Sequence, residues 1–310
     1  MPCLDWNSRR ARKFRPERAS AVTFVIAQIS DTHLSAAKPF FAENFRVVAE
    51  QINADRPDLV LNSGDISLNG AADEEDLAAA RRSHDAVDVP VRYIPGNHDI
   101  GDSPELPNAH QPAIDEDRRA RYRRYFGDDW WLLDVPGWRI IGVNAQLIDS
   151  ALAAAAMQEE FIAASVVGTA GRAVALFIHK PLFDQHPDED AVGGRFLPPA
   201  ARQRLLARLA GRPPALVACG HVHQFRDSRH ADARHVWAPS TAFVLPDSRQ
   251  PRYGLKRTGY VEHRLHQDGT HDSRFVQPAR LPNLNIADFK DAYGEPPELQ
   301  GAAMTANERA

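Results

Sequence analysis

The sequence predicts an α/β fold, because short runs rich in Val, Ile and Leu alternate with longer stretches of helical periodicity. Five of those runs also stop abruptly at polar blocks of Asp, Asn and His, as strands of an open α/β sheet do at their carboxyl ends. Residues 23–29 give the first expected strand. Residues 40–54 follow as a helix, with Phe41, Phe45, Val48, Ala49 and Ile52 spaced along one face. Residues 59–61 are the second strand, and residues 73–87 a helix whose acidic start suits the helix dipole. A third strand is expected over 89–94 and an Arg-rich helix over 114–126. Strands 131–134 and 138–143 then pair across the Pro136-Gly137 turn. Helix 153–167, strand 174–178, helix 198–209 and strand 216–218 complete the alternation, after which 235–238, 242–245 and 260–265 are strand-like.

The 310 residues, 43% hydrophobic and 25% charged, suit one globular domain with a large core. That domain is placed at 21–266. Residues 1–20 read as a basic flexible arm, carrying Arg9, Arg10, Arg12, Lys13, Arg15 and Arg18. Residues 267–310 read as a polar, partly disordered extension whose end, 295–310, is a tail. The net charge of -4 gives no reason to expect nucleic acid as an obligatory partner. No apolar run approaches the 18 or so residues of a membrane span, and the arm lacks the apolar stretch of an export signal. A cytoplasmic location is therefore expected. The two cysteines, Cys3 and Cys219, suggest no structural disulfide, which agrees with a reducing compartment.

The polar blocks carry the chemistry. They are Asp31-Thr32-His33, Gly64-Asp65, Gly96-Asn97-His98-Asp99, a lone His179 and Gly220-His221-Val222-His223. Taken singly, Asp31, Asp65 and Asn97 could cap a helix or make a turn, and a lone histidine such as His179 is usually a packing residue. Taken together, those readings do not explain four more histidines at the same sheet edge. In an extended segment residues i and i+2 face the same way, so Asp31 should pair with His33 and His221 with His223. Two such prongs, with one single ligand from each of the other three blocks, are therefore read as a dinuclear metal centre. Imidazole and oxygen donors without thiolate disfavour a cysteine zinc site or an iron–sulfur cluster. Two divalent or mixed-valence metal ions, of Mn, Fe, Zn or Co, are the expected cofactors.

The ordered set D-x-H, G-D, G-N-H-D, H, G-H-x-H resembles the calcineurin-like metallophosphoesterase superfamily. The runs Ile29-Ser30-Asp31-Thr32-His33-Leu34 and Cys219-Gly220-His221-Val222-His223-Gln224 are most similar to its class III cyclic-nucleotide phosphodiesterases. The likeness spans about residues 22–245, and a chance match of all five blocks in order is improbable. It implies two packed mixed β-sheets flanked by helices. It also implies one metal held by Asp31, His33, Asp65 and His223 and a second by Asp65, Asn97, His179 and His221, with Asp65 bridging ions about 3.5–4 Å apart. The tyrosine of the purple acid phosphatases is replaced here by Leu68. The Arg and second Asp of the protein Ser/Thr phosphatases are missing from Ser67-Leu68-Asn69-Gly70.

The activity so implied is hydrolysis of small phosphodiesters such as cyclic nucleotides, by attack of a metal-activated hydroxide with His98 protonating the leaving alkoxide. Alternatives are a phosphomonoesterase or nuclease of the same superfamily, or a non-catalytic scaffold. A nuclease would be expected to add a basic track, and a scaffold to lose ligands. Asp99 either assists His98 as a second catalytic group or caps a turn. Asn97, His98, Asn144 and His186 are the candidate substrate contacts. His186 sits in an acidic loop, 183–198, that is either a lid or a solvated connection. The arginines of 118–124 read as a solvated helix face. The partners expected are a small phosphodiester substrate and, at most, a second copy of the chain in a homodimer, with no membrane.

Overall fold

A computed structural model describes residues 22–103, 111–189 and 194–293. The chain begins with β1 (Thr23–Ile29), α1 (Ala42–Asp55), β2 (Leu59–Asn62), α2 (Glu74–Ser83), β3 (Val91–Tyr93), the short α3 (Asn97–Ile100) and α4 (Glu116–Phe126). It continues through β4 (Trp131–Val135), β5 (Trp138–Val143), α5 (Ala153–Val166), β6 (Ala173–Ile178), α6 (Pro199–Leu209) and β7 (Leu216–Cys219). It ends with β8 (Arg226–His230), β9 (Ala233–Trp237), β10 (Tyr260–His266), β11 (His271–Val276) and α7 (Lys290–Tyr293).

These strands make two mixed sheets, ordered β11-β10-β1-β2-β3 and β4-β5-β6-β7-β9-β8. Within the first, β1, β2 and β3 run parallel, with β10 and β11 antiparallel at one side. Within the second, β5, β6, β7 and β9 are parallel, with antiparallel strands β4 and β8 at the two edges. The sheets pack face to face through Ile26, Leu61, Trp138, Phe177, Leu216 and Val261. Phe45, Val48, Ile52, Leu77 and Tyr122 bury α1, α2 and α4 against the outer face of the first sheet. Ile162, Leu205 and Leu209 do the same for α5 and α6 on the second. Helices on both outer faces complete the αββα sandwich.

The helix expected over 73–87 starts as read, because the Asp73 side chain accepts from Glu75 N. It stops at Ser83, giving way to a 3-10 turn, His84–Ala86. There Asn53 donates to the Ala86 carbonyl and accepts from Asp88 N, bending the chain towards β3. No strand forms over 242–245, where Val244 makes a single bridge to Asn285. The Ser240 hydroxyl accepts from Ala242 N and Phe243 N and curls that backbone into a turn. Strands β8 and β11 escape the sequence reading because they are polar sheet edges, Arg-Asp-Ser-Arg-His and His-Asp-Ser-Arg-Phe-Val.

The boundary at 266 needs correction. Residues 271–276 are a strand of the first sheet, and Leu281, Ile286 and Ala292 are buried. Folded structure therefore continues past residue 266. The basic arm and the tail from 295 lie outside the described residues, as does part of the 183–198 loop.

Candidate metal centre

All the predicted ligands lie just past the carboxyl ends of parallel strands. Asp31, His33, Asp65 and Asn97 follow β1, β2 and β3 of the first sheet, and His179, His221 and His223 follow β6 and β7 of the second. A buried glutamine ties the two edges together. Gln28 donates across the sheets to the Cys219 carbonyl and, within its own sheet, donates to the Ser63 hydroxyl and accepts from His263 Nε2.

The expectation that Asp31/His33 and His221/His223 project from extended chain is not met. Asp31, His33, Asp65, His221 and His223 have φ of 52°, 43°, 50°, 68° and 58°, in the left-handed region. Each residue so placed costs about 1–3 kcal/mol and persists only where its surroundings impose it. Here they do: Asp31 N, His33 N and Leu34 N donate to the carbonyls of Gly64, Asp65 and Ile66, so the two loops stay paired beyond their strands. His221 N in turn donates to Asp31 Oδ2 at 2.9 Å. Two motif glycines are spacers for this packing. A Cβ on Gly96 would lie 2.1 Å from Asp65 Oδ1, and one on Gly220 only 1.8 Å from Ser30 Oγ.

The side chains form two adjoining groups, Asp31–His33–His223 and Asp65–His179–His221, with His98 beside His33 and Asp65. His33 Nε2 lies 3.2 Å from His223 Nε2, which lies 3.2 Å from Asp31 Oδ1. His179 Nε2 is 3.1 Å from His221 Nδ1 and 3.4 Å from Asp65 Oδ1. The other nitrogen of each ring is held from outside. Carbonyls of Ser63, Phe243 and Gly194 face His179 Nδ1, His223 Nδ1 and His221 Nε2, and the Tyr293 hydroxyl faces His33 Nδ1 at 2.5 Å. With those outer nitrogens donating, the inner nitrogens present lone pairs to one another and to two carboxylates. Such a ring of acceptors is what a cation satisfies. Asp31 Oδ1 and Asn97 Oδ1 are likewise buried with no hydrogen-bond partner. The donor set therefore fits two metal ions, one at each group, with Asp65 in the second group and beside His33 of the first.

Electrostatics agree. Burial and the neighbouring His98 hold the His33 pKa well below its ordinary value, and burial with His179 does the same to His221. Burial pushes the Asp65 carboxyl up, but the surrounding imidazoles, His179 foremost, outweigh it and hold it well below the carboxylate range. Burial opposes the charged form of His179, yet Asp65 raises that imidazole to about 9.

His98 lies beside His33 and Asp65, its ring centroid 4.8 Å from that of His33. Its Nδ1 lies 2.8 Å from the Leu68 carbonyl, which orients the ring, and its Nε2 is 4.0 Å from Asp65 Oδ2. Asp99, a candidate partner of His98, does something else. It accepts from Ile66 N, Ser67 N, Ser67 Oγ and Gly96 N, locking the Asp65 loop to the Asn97 loop. Its place is that of a buried brace, and its pKa is raised to about 6 by burial and by Asp65.

Two expected substrate contacts are not brought to the site. Asn144 is fully buried, capping the 3-10 turn at Gln146 N and donating to Asp129. His186 is exposed and packs on His230 of edge strand β8. The arginines of α4 pair with Asp115, Asp128, Asp129, Glu74, Glu116 and the Ala71 carbonyl. From the 183–198 loop the Gly194 carbonyl does reach the centre, at His221. Tyr293 and Gln111, whose amide lies 3.0 Å from His98 Nδ1, were given no part by the sequence. A lone Tyr or Gln far from any motif carries no signal of its place.

Residues 24–225 match the sequence profile of the family described as "Calcineurin-like phosphoesterase". Over 274 residues the chain is 28% identical to "Glycerophosphodiester phosphodiesterase GpdQ" of Enterobacter lignolyticus, covering 77% of this chain and 86% of that protein. Over 291 residues it is 26% identical to "3',5'-cyclic adenosine monophosphate phosphodiesterase CpdA" of Vibrio vulnificus, covering 85% of this chain and 94% of that one. Among solved structures, the purple acid phosphatase PPD1 of yellow lupin superposes with a TM-score of 0.62 at 13% identity, covering 91% of this chain and 58% of the other. A dimetal phosphatase of Danio rerio gives 0.52 at 13% identity, with 83% and 99% covered. At that identity the superpositions speak to the fold alone.

Proposed function

The chain belongs to the calcineurin-like phosphoesterase family and is a metal-dependent phosphodiester hydrolase; on that premise we propose that it cleaves small, soluble diesters, cyclic nucleotides or glycerophosphodiesters among them. The observation that carries the reading is His98, an imidazole oriented by a backbone carbonyl beside a two-ion donor set, to which this reading gives the part of proton donor and not of ligand. A metal pair bound there would neutralise the phosphoryl oxygens and lower the pKa of water to around 7.

The chain's own residues divide the remaining work. With Nδ1 donating to Leu68 O, the His98 ring keeps Nε2 for the reaction and can carry a proton there to the departing alkoxide. Asn97 keeps a buried Oδ1 without a hydrogen-bond partner, and the Asp99 brace keeps Asn97 and His98 in step with Asp65. No helix among the described residues is long and apolar enough to cross a membrane, and Cys219 is a buried thiol, in keeping with action in the cytoplasm on a small substrate.

The experiment is a panel run on metal-reconstituted protein: bis(p-nitrophenyl) phosphate, p-nitrophenyl phosphate, 3′,5′- and 2′,3′-cyclic AMP, and glycerophosphodiesters. Diesters should outrun the monoester in kcat/KM. A clear preference for p-nitrophenyl phosphate would replace this reading with a phosphomonoesterase.

A further inference from the structure

The C-terminal segment closes the chain against the metal centre. Leu284, Ile286, Phe289 and Ala292 pack with Phe41, Leu68 and Phe243 in a small core of their own. The Lys38 ammonium donates to the Ala292 carbonyl at 3.1 Å. This packing delivers the Tyr293 ring edge-on to His33, His98 and Phe243, at centroid distances of 5.8, 5.2 and 6.1 Å. The hydroxyl then meets His33 Nδ1 at 2.5 Å, bridging 260 positions of sequence. The segment that carries Tyr293 lies beyond residue 225, where the family match ends.

We propose that Tyr293 is a positioning residue for the metal centre, holding the His33 imidazole so that Nε2 faces the ion shared with Asp31 and His223. For Nε2 to offer a lone pair, the single proton of a neutral ring must sit on Nδ1, so His33 donates to the phenol oxygen. His179 and His223 have backbone carbonyls in that role, which no side-chain substitution can remove. His33 has a side chain instead, supplied by the far end of the fold. The C-terminal segment is therefore part of the working site, and only the ion held by His33 depends on it directly. Outer partners of this kind are worth about 10–100-fold in metal affinity or activity.

The inference rests on the same metal centre as the proposed function but is independent of substrate. The test is Tyr293→Phe in the full chain, which keeps the ring against Phe243 and His98 and removes one oxygen. Metal-free wild type and variant are titrated with Co2+, following visible absorbance in competition with a chelator to resolve the two binding steps. One step should weaken about 10–100-fold with an altered spectrum, while the other step and the metal-free melting temperature stay unchanged. A variant that binds both ions as wild type does would overturn the proposal. Equal weakening of both steps with a lowered melting temperature would also overturn it, by showing that Tyr293 supports only the fold. His33→Ala, in the same titration, identifies which step belongs to the His33 site. Failure of wild type to hydrolyse any diester would refute the substrate reading and leave this result standing.

Discussion

Replacing Gln28 by Leu should destabilise the protein by about 1–3 kcal/mol, although volume and burial hardly change. Gln28 is fully buried between the sheets, and its amide makes three bonds, to Ser63 Oγ at 2.9 Å, Cys219 O at 3.1 Å and His263 Nε2 at 2.9 Å. A leucine would strand the His263 N–H, whereas the Cys219 carbonyl still accepts from Ala238 N at 2.7 Å. Ser63 keeps a weak alternative at the Ile29 carbonyl, 3.4 Å away. A buried group left without a partner costs about 1–3 kcal/mol, which gives the quoted range. Urea unfolding of the metal-free protein at neutral pH reads it directly, as a lower midpoint with an unchanged slope. His263→Leu alone should also destabilise. The double variant should lose less than the sum, because removing both members of the Gln28–His263 bond relieves one orphan of each single change. Because Cys219 leads into Gly220-His221, Gln28→Leu should weaken metal binding as well. A stability change under about 0.5 kcal/mol, or strict additivity in the double variant, would refute the claim that this amide pins the two sheet edges together.

Three further outcomes follow from the site. His98→Ala should keep both metals, lose little kcat/KM on bis(p-nitrophenyl) phosphate, whose leaving group departs unaided, and lose about 10²–10⁴-fold on an alkyl diester. Equal losses on the two substrates would instead make His98 a phosphate-binding or organising residue. Asp65→Ala should cost more bound metal than His33→Ala or His179→Ala, since Asp65 faces both donor groups; elemental analysis showing two metals retained would end the bridging assignment. Acid should unfold the protein early. Burial lowers the His84 pKa to about 4, where Nδ1 donates to Ala80 O and Nε2 accepts from Asn62. The unfolded chain takes up this proton near pH 6.5, so the stability His84 contributes is present above that pH and is lost as pH falls towards 4. The loss is about 3 kcal/mol at 1.36 kcal/mol per pKa unit. Denaturation midpoints measured from pH 7 to 4.5 should show that slope, and His84→Gln should reduce it by about one proton.

The metal ligands were legible because their chemistry overrides local context. No packing rule puts Asp, Asn and five histidines, the ligands and His98, at the ends of apolar runs in one order. The inner strands were legible too, since a strand covered on both faces is mostly apolar, and β1, β2, β6 and β7 are so apart from Thr23, Gln28 and Asn62. Edge strands β8 and β11 pair on one side only and keep a polar, alternating sequence that resembles loop. Asn144 shows the converse error. A polar side chain at a strand end looked poised for phosphate, but the 3-10 turn after β5 needs a cap, and Asn144 supplies it.

The least legible feature is how the ligands leave their strands. Reading Asp31-x-His33 and His221-x-His223 as extended chain brings both pairs to the one site, but by the wrong geometry, since all four residues are left-handed and His221 and His223 enter different donor groups. The residue types nevertheless agree with what is found. After glycine, Asp, Asn and His are the side chains most often found in that region. The same short polar groups that ligate a metal therefore tolerate the backbone that aims them inward. A β-branched or bulky replacement would be strained at these positions before its lost donor mattered. Metal chemistry and backbone chemistry thus select the same few residue types at Asp31, His33, Asp65, His221 and His223. The preceding Gly64 and Gly220 complete the arrangement by letting each tight turn close against the neighbouring loop, where a Cβ would strike the His179 ring or Ser30.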